Sequence, residues 1–411
     1  MGRSGIASTR TRSALIGGDP RAYRDSLVAL AIAALTSLVA GVTLAATTDT
    51  LEELPGLLLL VPASLAGKGN VFGTLGSRLG TSIHAGTFRL SGRLDSVVGS
   101  NVAAAMLLSL SLAVVVALLA KVVAIVFSIS PTMSVADFIV VSAIGSLMAS
   151  VVILVITLLL AGGSVRYGWD LDNVVSPLVT ATSDVASLPA LILAARLARV
   201  DVVTPVVATS LLVIAAVGLG WSLFARFEVL RGIVRESMPI LVFAGLVDLV
   251  AGVTIEKRLE SFLEFPVLLV LLPGFLGTAG ALGGVLSSRL ATKLHLGLID
   301  PGPLPRGSSG VEIVRIFSLS VPIFVLAGVV AEFGGSLTDQ ASPGLTQVVA
   351  IAVLGGLLAT SCVVFVAYYA TITAVRFGLD PDTYGIPLVT STLDFVGAFA
   401  LILAIVAVGV A

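Results

Sequence analysis

Eleven stretches of this chain are each long and apolar enough to cross a lipid bilayer, and nothing else in the sequence narrows the fold as much. They run over about 26–47, 54–83, 99–127, 137–163, 172–195, 203–225, 238–255, 263–292, 311–331, 345–375 and 383–410. A spanning α-helix needs ~20 predominantly apolar residues. Inside hydrocarbon each backbone N–H and C=O must find its partner within the protein, which restricts such runs to helices. The longest runs exceed the bilayer thickness and must tilt or project beyond it. Only 11% of the residues are charged and 57% are hydrophobic, against roughly 25% charged in soluble domains. So few charges cannot cover a water-facing surface, so the lipid bilayer is the expected surroundings. A net charge of −1 argues against nucleic acid as a partner. The lone Cys362 allows no disulfide within the chain and no Cys/His metal cluster. The 42 glycines suit helices that pack backbone to backbone.

Residues 1–25 carry Arg3, Arg10, Arg12, Arg21 and Arg24 and read as a cytoplasmic N-terminal tail, with Asp19, Pro20 and Asp25 breaking any amphipathic helix. Lys and Arg set orientation through the positive-inside bias. With the N-terminus inside, sixteen fall on the cytoplasmic side and only Arg196, Arg199, Lys257 and Arg258 outside. The expectation is a multi-pass cell-membrane protein with a cytoplasmic N-terminus and an external C-terminus.

The sequence also repeats itself. PASLAGKGNVFGTLGSRLGTSIHAG at 62–86 is echoed by PGFLGTAGALGGVLSSRLATKLHLG at 273–297, an offset of 211. SLVAGVTL at 37–44 matches DLVAGVTI at 248–255, and SPLVTATSD at 176–184 matches IPLVTSTLD at 386–394. Three matched blocks in one order define a first five-helix repeat at 26–198 and a second at 237–411, joined by a linker at 199–236 that holds an extra span. Five spans invert a repeat and the extra span restores its direction. The repeats are therefore expected to run parallel about a pseudo-twofold axis along the membrane normal. Such a chain imitates a dimer and works as a single chain, with a shared site at the axis.

Asp184 and Asp394 occupy matching places in the fifth span of each repeat, ~18 Å into an apolar helix. An Asp at that depth costs roughly 2.5–3.5 kcal/mol, and ionisable residues kept there mark ion paths. The alternative is a structural carboxylate capped by hydroxyls. Thr180 and Thr390 lie four residues earlier, on the same helix face, although they can also bond back to their own helices. Pro177 and Pro387 free a backbone carbonyl one turn before. Carboxylate, hydroxyl and carbonyl oxygens together suit a hard cation. The second span of each repeat is glycine-rich, which fits either tight packing or backbone exposed along a pore. Gly69 and Asn70 stand there in the first repeat and Gly280 and Ala281 in the second. Two charges break the symmetry: Lys68 faces Ala279 in the register, and Asp248 faces Ser37. These two can gate, couple, pair with each other or snorkel. Arg78, Arg289, His84 and His295 fall near cytoplasmic helix ends, and Lys121 reads as snorkelling to the outer interface.

GKGN…SRL at 67–79 and GLDPDTYGIPLVTSTLDFVG at 378–397 resemble the MgtE-type magnesium channels, and GWDLDNVVSPLVTATSD at 168–184 resembles the two-repeat solute-carrier magnesium transporters. The resemblance covers most of 26–410. It implies that the fifth helices line a central pore and that the Asp of the Pro-Leu-Val-Thr motif holds a hydrated Mg²⁺. Carried over, the metal residues are Asp184 and Asp394, with Thr180 and Thr390 one turn away and Gly69 and Asn70 beside them; Asp248 joins them as a candidate. The second repeat departs at Gly280-Ala281, and the chain shows no stretch of the length of the cytoplasmic Mg²⁺-sensing domains. Mg²⁺ as the transported ion suits the residues, because it sheds water reluctantly and takes one or two carboxylates. A Na⁺-coupled exchanger is the alternative. An intramembrane aspartyl protease, with two Asp sharing a proton, lacks its Gly-x-Gly-Asp signature. The chain is read as a transporter and not an enzyme.

Overall fold

The computed structural model describes residues 20–167, 171–198, 203–295, 298–299, 302, 304–377 and 386–410, and all the regular structure among them is helical. The first repeat contributes α1 (Pro20–Ala45), the short α2 (Thr48–Glu53), α3 (Leu57–His84), α4 (Val97–Val126), α5 (Val135–Tyr167) and α6 (Leu171–Leu197). After α7 (Val203–Phe224) the second repeat supplies α8 (Glu228–Glu256), the short α9 (Leu259–Glu264), α10 (Val267–His295), α11 (Ser308–Leu337), α12 (Leu345–Arg376) and α13 (Ile386–Val408). Among the described residues ten helices are long and apolar enough to cross a membrane. The 27-residue α6 is not one of these ten but has the length to span. The chain is thus a polytopic all-α membrane protein. The sequence runs did not separate α2 and α9, six-residue helices set at the head of the second span in each repeat.

Large apolar side chains face outward over much of the bundle. On α7 Val206, Ile214, Val217 and Phe224 are all exposed, as lipid-facing residues are when no water-covered surface is required. α7 packs on α4, α5 and α8, outside the ring of the other helices.

The first helix of each repeat crosses over to the other. α1 lies against α10 and α11 as well as its own α6, while α8 lies against α3 and α4 as well as its own α13. Glycine makes both crossings possible. A Cβ built on Gly41 would stand 2.1 Å from the Val270 carbonyl oxygen, and one on Gly252 would stand 2.5 Å from that of Leu59. Gly41 and Gly252 are register partners, as are Leu59 and Val270. Each repeat therefore makes on the other the contact it receives, the mark of a two-fold relation. Helices in lipid gain from such backbone approach because lipid offers no hydrophobic drive between them. Gly284 is different: a Cβ there meets nothing within 4 Å.

Pro62 and Pro273, at register-matched places, lie inside the unbroken helices α3 and α10. Their neighbours in the bundle are dense with buried Leu and Val, from Leu57 to Val61 and from Val267 to Leu272.

Gly41→Val and Gly252→Val each drive a side chain into backbone, so both are expected to destabilise the fold by about 1–3 kcal/mol, the cost of overpacking. The check is the apparent melting temperature of the detergent-purified chain, with Gly284→Ala expected to leave it unchanged.

Candidate functional site

The crossing of first helices assembles a carboxylate cluster. α1 brings Ser37 onto α6, where its hydroxyl donates to Asp184 Oδ2 at 2.9 Å. In the second repeat α8 brings Asp248, the register partner of Ser37, onto α13. There it lies beside Ser391 and within electrostatic reach of Asp394. Asp394 is also within reach of Asp184. Asp184, Asp248 and Asp394 are 6%, 1% and 8% exposed, so three acidic side chains from both repeats are shut inside one bundle. Neither oxygen of Asp248 has a hydrogen-bond partner. The two Asp248 oxygens, buried without a donor, are open to a cation or a proton.

The second repeat closes on Asp184 as well. A Cβ on Gly277 of α10 would stand 3.3 Å from Asp184 Oδ2 and 3.8 Å from Ser37 Oγ. The helix backbone thus approaches the carboxylate with no side chain between them. Only glycine leaves that opening.

Thr390 of α13 is half-buried, and its hydroxyl donates at 3.4 Å to Asn70 Oδ1 of α3. This contact also joins the two repeats. The Asn70 side-chain nitrogen is buried without a partner, and Asn70 lines a cavity of about 20 Å³ with Arg78, Asn101 and Ser237. Gly69 and its register partner Gly280 border open space, for a Cβ on either meets no atom within 4 Å. Gly280 is nonetheless buried. Open space beside a buried glycine lies inside the molecule.

Thr180 belongs to α6, but its side chain lies outside the described residues, as do the side chains of His84, His295, Pro177 and Pro387. Lys68 and Asp248 do not pair. Lys68 turns away from the carboxylates to a group of serines on α4 and α5, whereas Asp248 joins the acidic cluster. The pairing fails because the two residues face different sides of the α3–α8 contact. Arg289 is held by Glu312 of α11, with Nε at 2.6 Å, and Lys293 binds the same carboxylate at 2.6 Å. This clamp uses the 1%-exposed Glu312, which the sequence reading did not single out. Lys121 Nζ donates to Thr132 Oγ1 at 2.7 Å and to the Met133 carbonyl at 2.9 Å, anchoring the end of α4 on the following loop. Ser37 was also missed as the partner of Asp184. The signal for Ser37 was present in its register match to Asp248.

Among the described residues no three His, Cys, Asp or Glu side chains converge closely enough to cage a bare metal ion. The acidic group is looser than a resident metal centre.

The family model for MgtE, a divalent cation transporter, matches the chain twice, over residues 61–194 and 272–404. The two matches lie one in each repeat. The chain belongs to the MgtE divalent cation transporter family. It is similar to solute carrier family 41 member 2 of Xenopus laevis, 24% identical over 95% of this chain and 74% of that protein. It is also similar to solute carrier family 41 member 3 of Mus musculus, 24% identical over 86% of this chain and 75% of that protein. No solved structure matches the chain. As MgtE-family transporters move ions across membranes, the protease reading is set aside. Both matches include the carboxylate-bearing fifth helices, with Asp184 and Asp394 inside the matched residues.

Gly277→Val places a branched side chain against Asp184 and Ser37. Its expected effect is a fall of about tenfold in divalent cation uptake, equivalent to about 1.4 kcal/mol at the site. Uptake by proteoliposomes checks it, with an unchanged elution profile of the purified variant showing that the fold is kept.

Proposed function

We propose that this chain carries Mg²⁺ across the membrane along a path between its two repeats, and that Asp184, Asp248 and Asp394 hold the ion partly hydrated on the way. The observation that supports the reading is the burial of three carboxylates from both repeats, with Asp184 and Asp248 each within electrostatic reach of Asp394. Mg²⁺ fits that site because it gives up water reluctantly and is bound through one or two carboxylates rather than a full protein cage. Intramembrane charge is tolerated where it faces a cavity or a counter-ion, and a divalent ion neutralises two of these carboxylates at once.

Gly69 and Gly280 form the backbone wall beside this path, and Asn70 and Thr390 add oxygens where the repeats touch. Thr180 takes the same place on α6 as Thr390 on α13. One chain suffices, because the pseudo-twofold relation already supplies both walls. The Lys and Arg distribution supports a cytoplasmic N-terminus and an external C-terminus. The ordering of a tail at 1–25, repeats at 26–198 and 237–411 and a linker at 199–236 goes with this reading.

The experiment is Mg²⁺ uptake into proteoliposomes holding the full chain, with and without a Na⁺ gradient. Asp184→Asn, Asp248→Asn and Asp394→Asn are each expected to lower the initial rate by about tenfold or more, as loss of about 1.4 kcal/mol requires. Unchanged rates in all three variants would sink the proposal. Uptake that runs down the Mg²⁺ gradient alone supports an uncoupled path; dependence on the Na⁺ gradient supports exchange.

A second test uses the open space rather than the charge. Gly69→Leu and Gly280→Leu gain helix propensity of up to about 1 kcal/mol and meet no neighbouring atom as they leave the backbone. Both are expected to fold normally and to block uptake. Normal uptake through either variant would show that the space beside that glycine is not part of the path.

A further inference from the structure

The two repeats also differ at a point the carboxylate path does not use. In the first repeat Lys68 of α3 is 5% exposed. Its amino nitrogen donates to the hydroxyls of Ser109, Ser146 and Ser150, the last at 2.9 Å. Three hydroxyl acceptors match the three N–H bonds of an ammonium, whereas a neutral amine has only two. Among the described residues no carboxylate pairs with this nitrogen, so neutral oxygens alone stand in for its water shell. Ser109 and Ser150 also touch at 2.6 Å, which closes the hydroxyl group into a cage. A cavity of about 30 Å³, room for a water, adjoins the cage, and Ser64, Ala113 and Ser187 line it. The Ser187 hydroxyl is buried and has no partner.

In the second repeat the register counterparts undo every part of this arrangement. Ala279 replaces Lys68, and Gly356 replaces Ser146. Phe275 and Phe324, standing where Ser64 and Ala113 stand, pack at 5.1 Å between ring centroids. A Cβ on Gly356 would lie 2.2 Å from the Phe324 ring, so an aromatic side chain occupies that space. Ser320, the counterpart of Ser109, donates to its own helix at Phe317, and Thr360, the counterpart of Ser150, donates to Gly356. One repeat has a hydroxyl cage around a lysine nitrogen, and the other has an aromatic plug.

We propose that Lys68 is a built-in monovalent cation: its tethered ammonium fills a hydroxyl cage in the first repeat that would otherwise take up an alkali-metal ion such as Na⁺ or K⁺. The cage offers hard neutral oxygens and no negative charge, a donor set suited to a single positive charge. Because the ion is covalently attached, this place cannot exchange it with solution, and the protein needs no monovalent ion from outside to complete it. The inference concerns monovalent ions and α3–α5 only, so it stands apart from the Mg²⁺ reading of the acidic cluster.

The test is the apparent melting temperature of the full chain in detergent, as NaCl or KCl replaces N-methyl-D-glucamine chloride at constant ionic strength. Lys68→Ala empties the cage, and its melting temperature is expected to rise saturably by about 3 °C or more with one of the two cations. Wild type and Lys68→Met, which keeps the space filled, are expected not to respond. Adding Ser109→Ala and Ser146→Ala to Lys68→Ala should abolish the response. A Lys68→Ala protein indifferent to both cations overturns the proposal, as does one that folds in neither salt while Lys68→Met folds. A wild type that responds as strongly as Lys68→Ala also overturns it, for the cage would then not be filled by its own lysine.

Discussion

Carboxylates inside a bilayer must be brought to something that tolerates them, and here the crossing of α1 and α8 does so. Each first helix leaves its own repeat far enough to lie on the second helix of the other, and Gly41 and Gly252 allow the backbones to touch. That approach sets the height and rotation of α1 and α8. It thereby puts the Ser37 hydroxyl on Asp184 and brings Asp248 alongside Asp394. Larger residues at either crossing would clash with the opposite backbone and push the helices apart. The site is in this sense a product of the interface between repeats, as expected where a chain imitates a symmetric dimer.

The symmetry is then broken in a chemically directed way. At the place where the first repeat uses a hydroxyl, Ser37, the second uses a carboxylate, Asp248. The first repeat therefore gives its Asp a hydrogen-bond donor, while the second adds another carboxyl group. An even distribution would give either two carboxylates, each with a donor, or four in mutual repulsion. Three is the number that the proposed path for a divalent ion uses, an ion that must also leave. Lys68 breaks the symmetry a second time, on the far side of α3. There the serines of α4 and α5 solvate a positive charge that the second repeat lacks.

Much of this was legible from residue order alone. Spans follow from the length of apolar runs, and their repeat follows from matched blocks. The placement of Asp184 and Asp394 at one depth follows from both. The role of Asp248 was half legible: its match to Ser37 located it, but a linear register does not say which helix a first span will lie against. Pairing of Lys68 with Asp248, one of several options left open by the sequence, is not formed for that reason. Both face inward, yet on opposite sides of the contact between α3 and α8. The serines that hold Lys68 are 41 to 82 residues away in the chain, and isolated serines in apolar helices carry no pattern that marks them as a group. Glu312 was hidden similarly, since a lone acidic residue at a helix start looks like any interfacial charge until Arg289 and Lys293 are seen to close on it.

By itself, then, the sequence determined the all-helical membrane-spanning class, the two-fold repetition and the identity of two acidic residues, because hydrocarbon thickness and backbone hydrogen bonding leave an apolar chain little choice. Only the tertiary structure decided that the first helices exchange between repeats, that Asp248 completes the acidic group and that Lys68 belongs to a hydroxyl cage instead. Those outcomes depend on which faces meet. In a bilayer that is settled by small-residue fit and by polar groups finding partners across helices far apart in the chain.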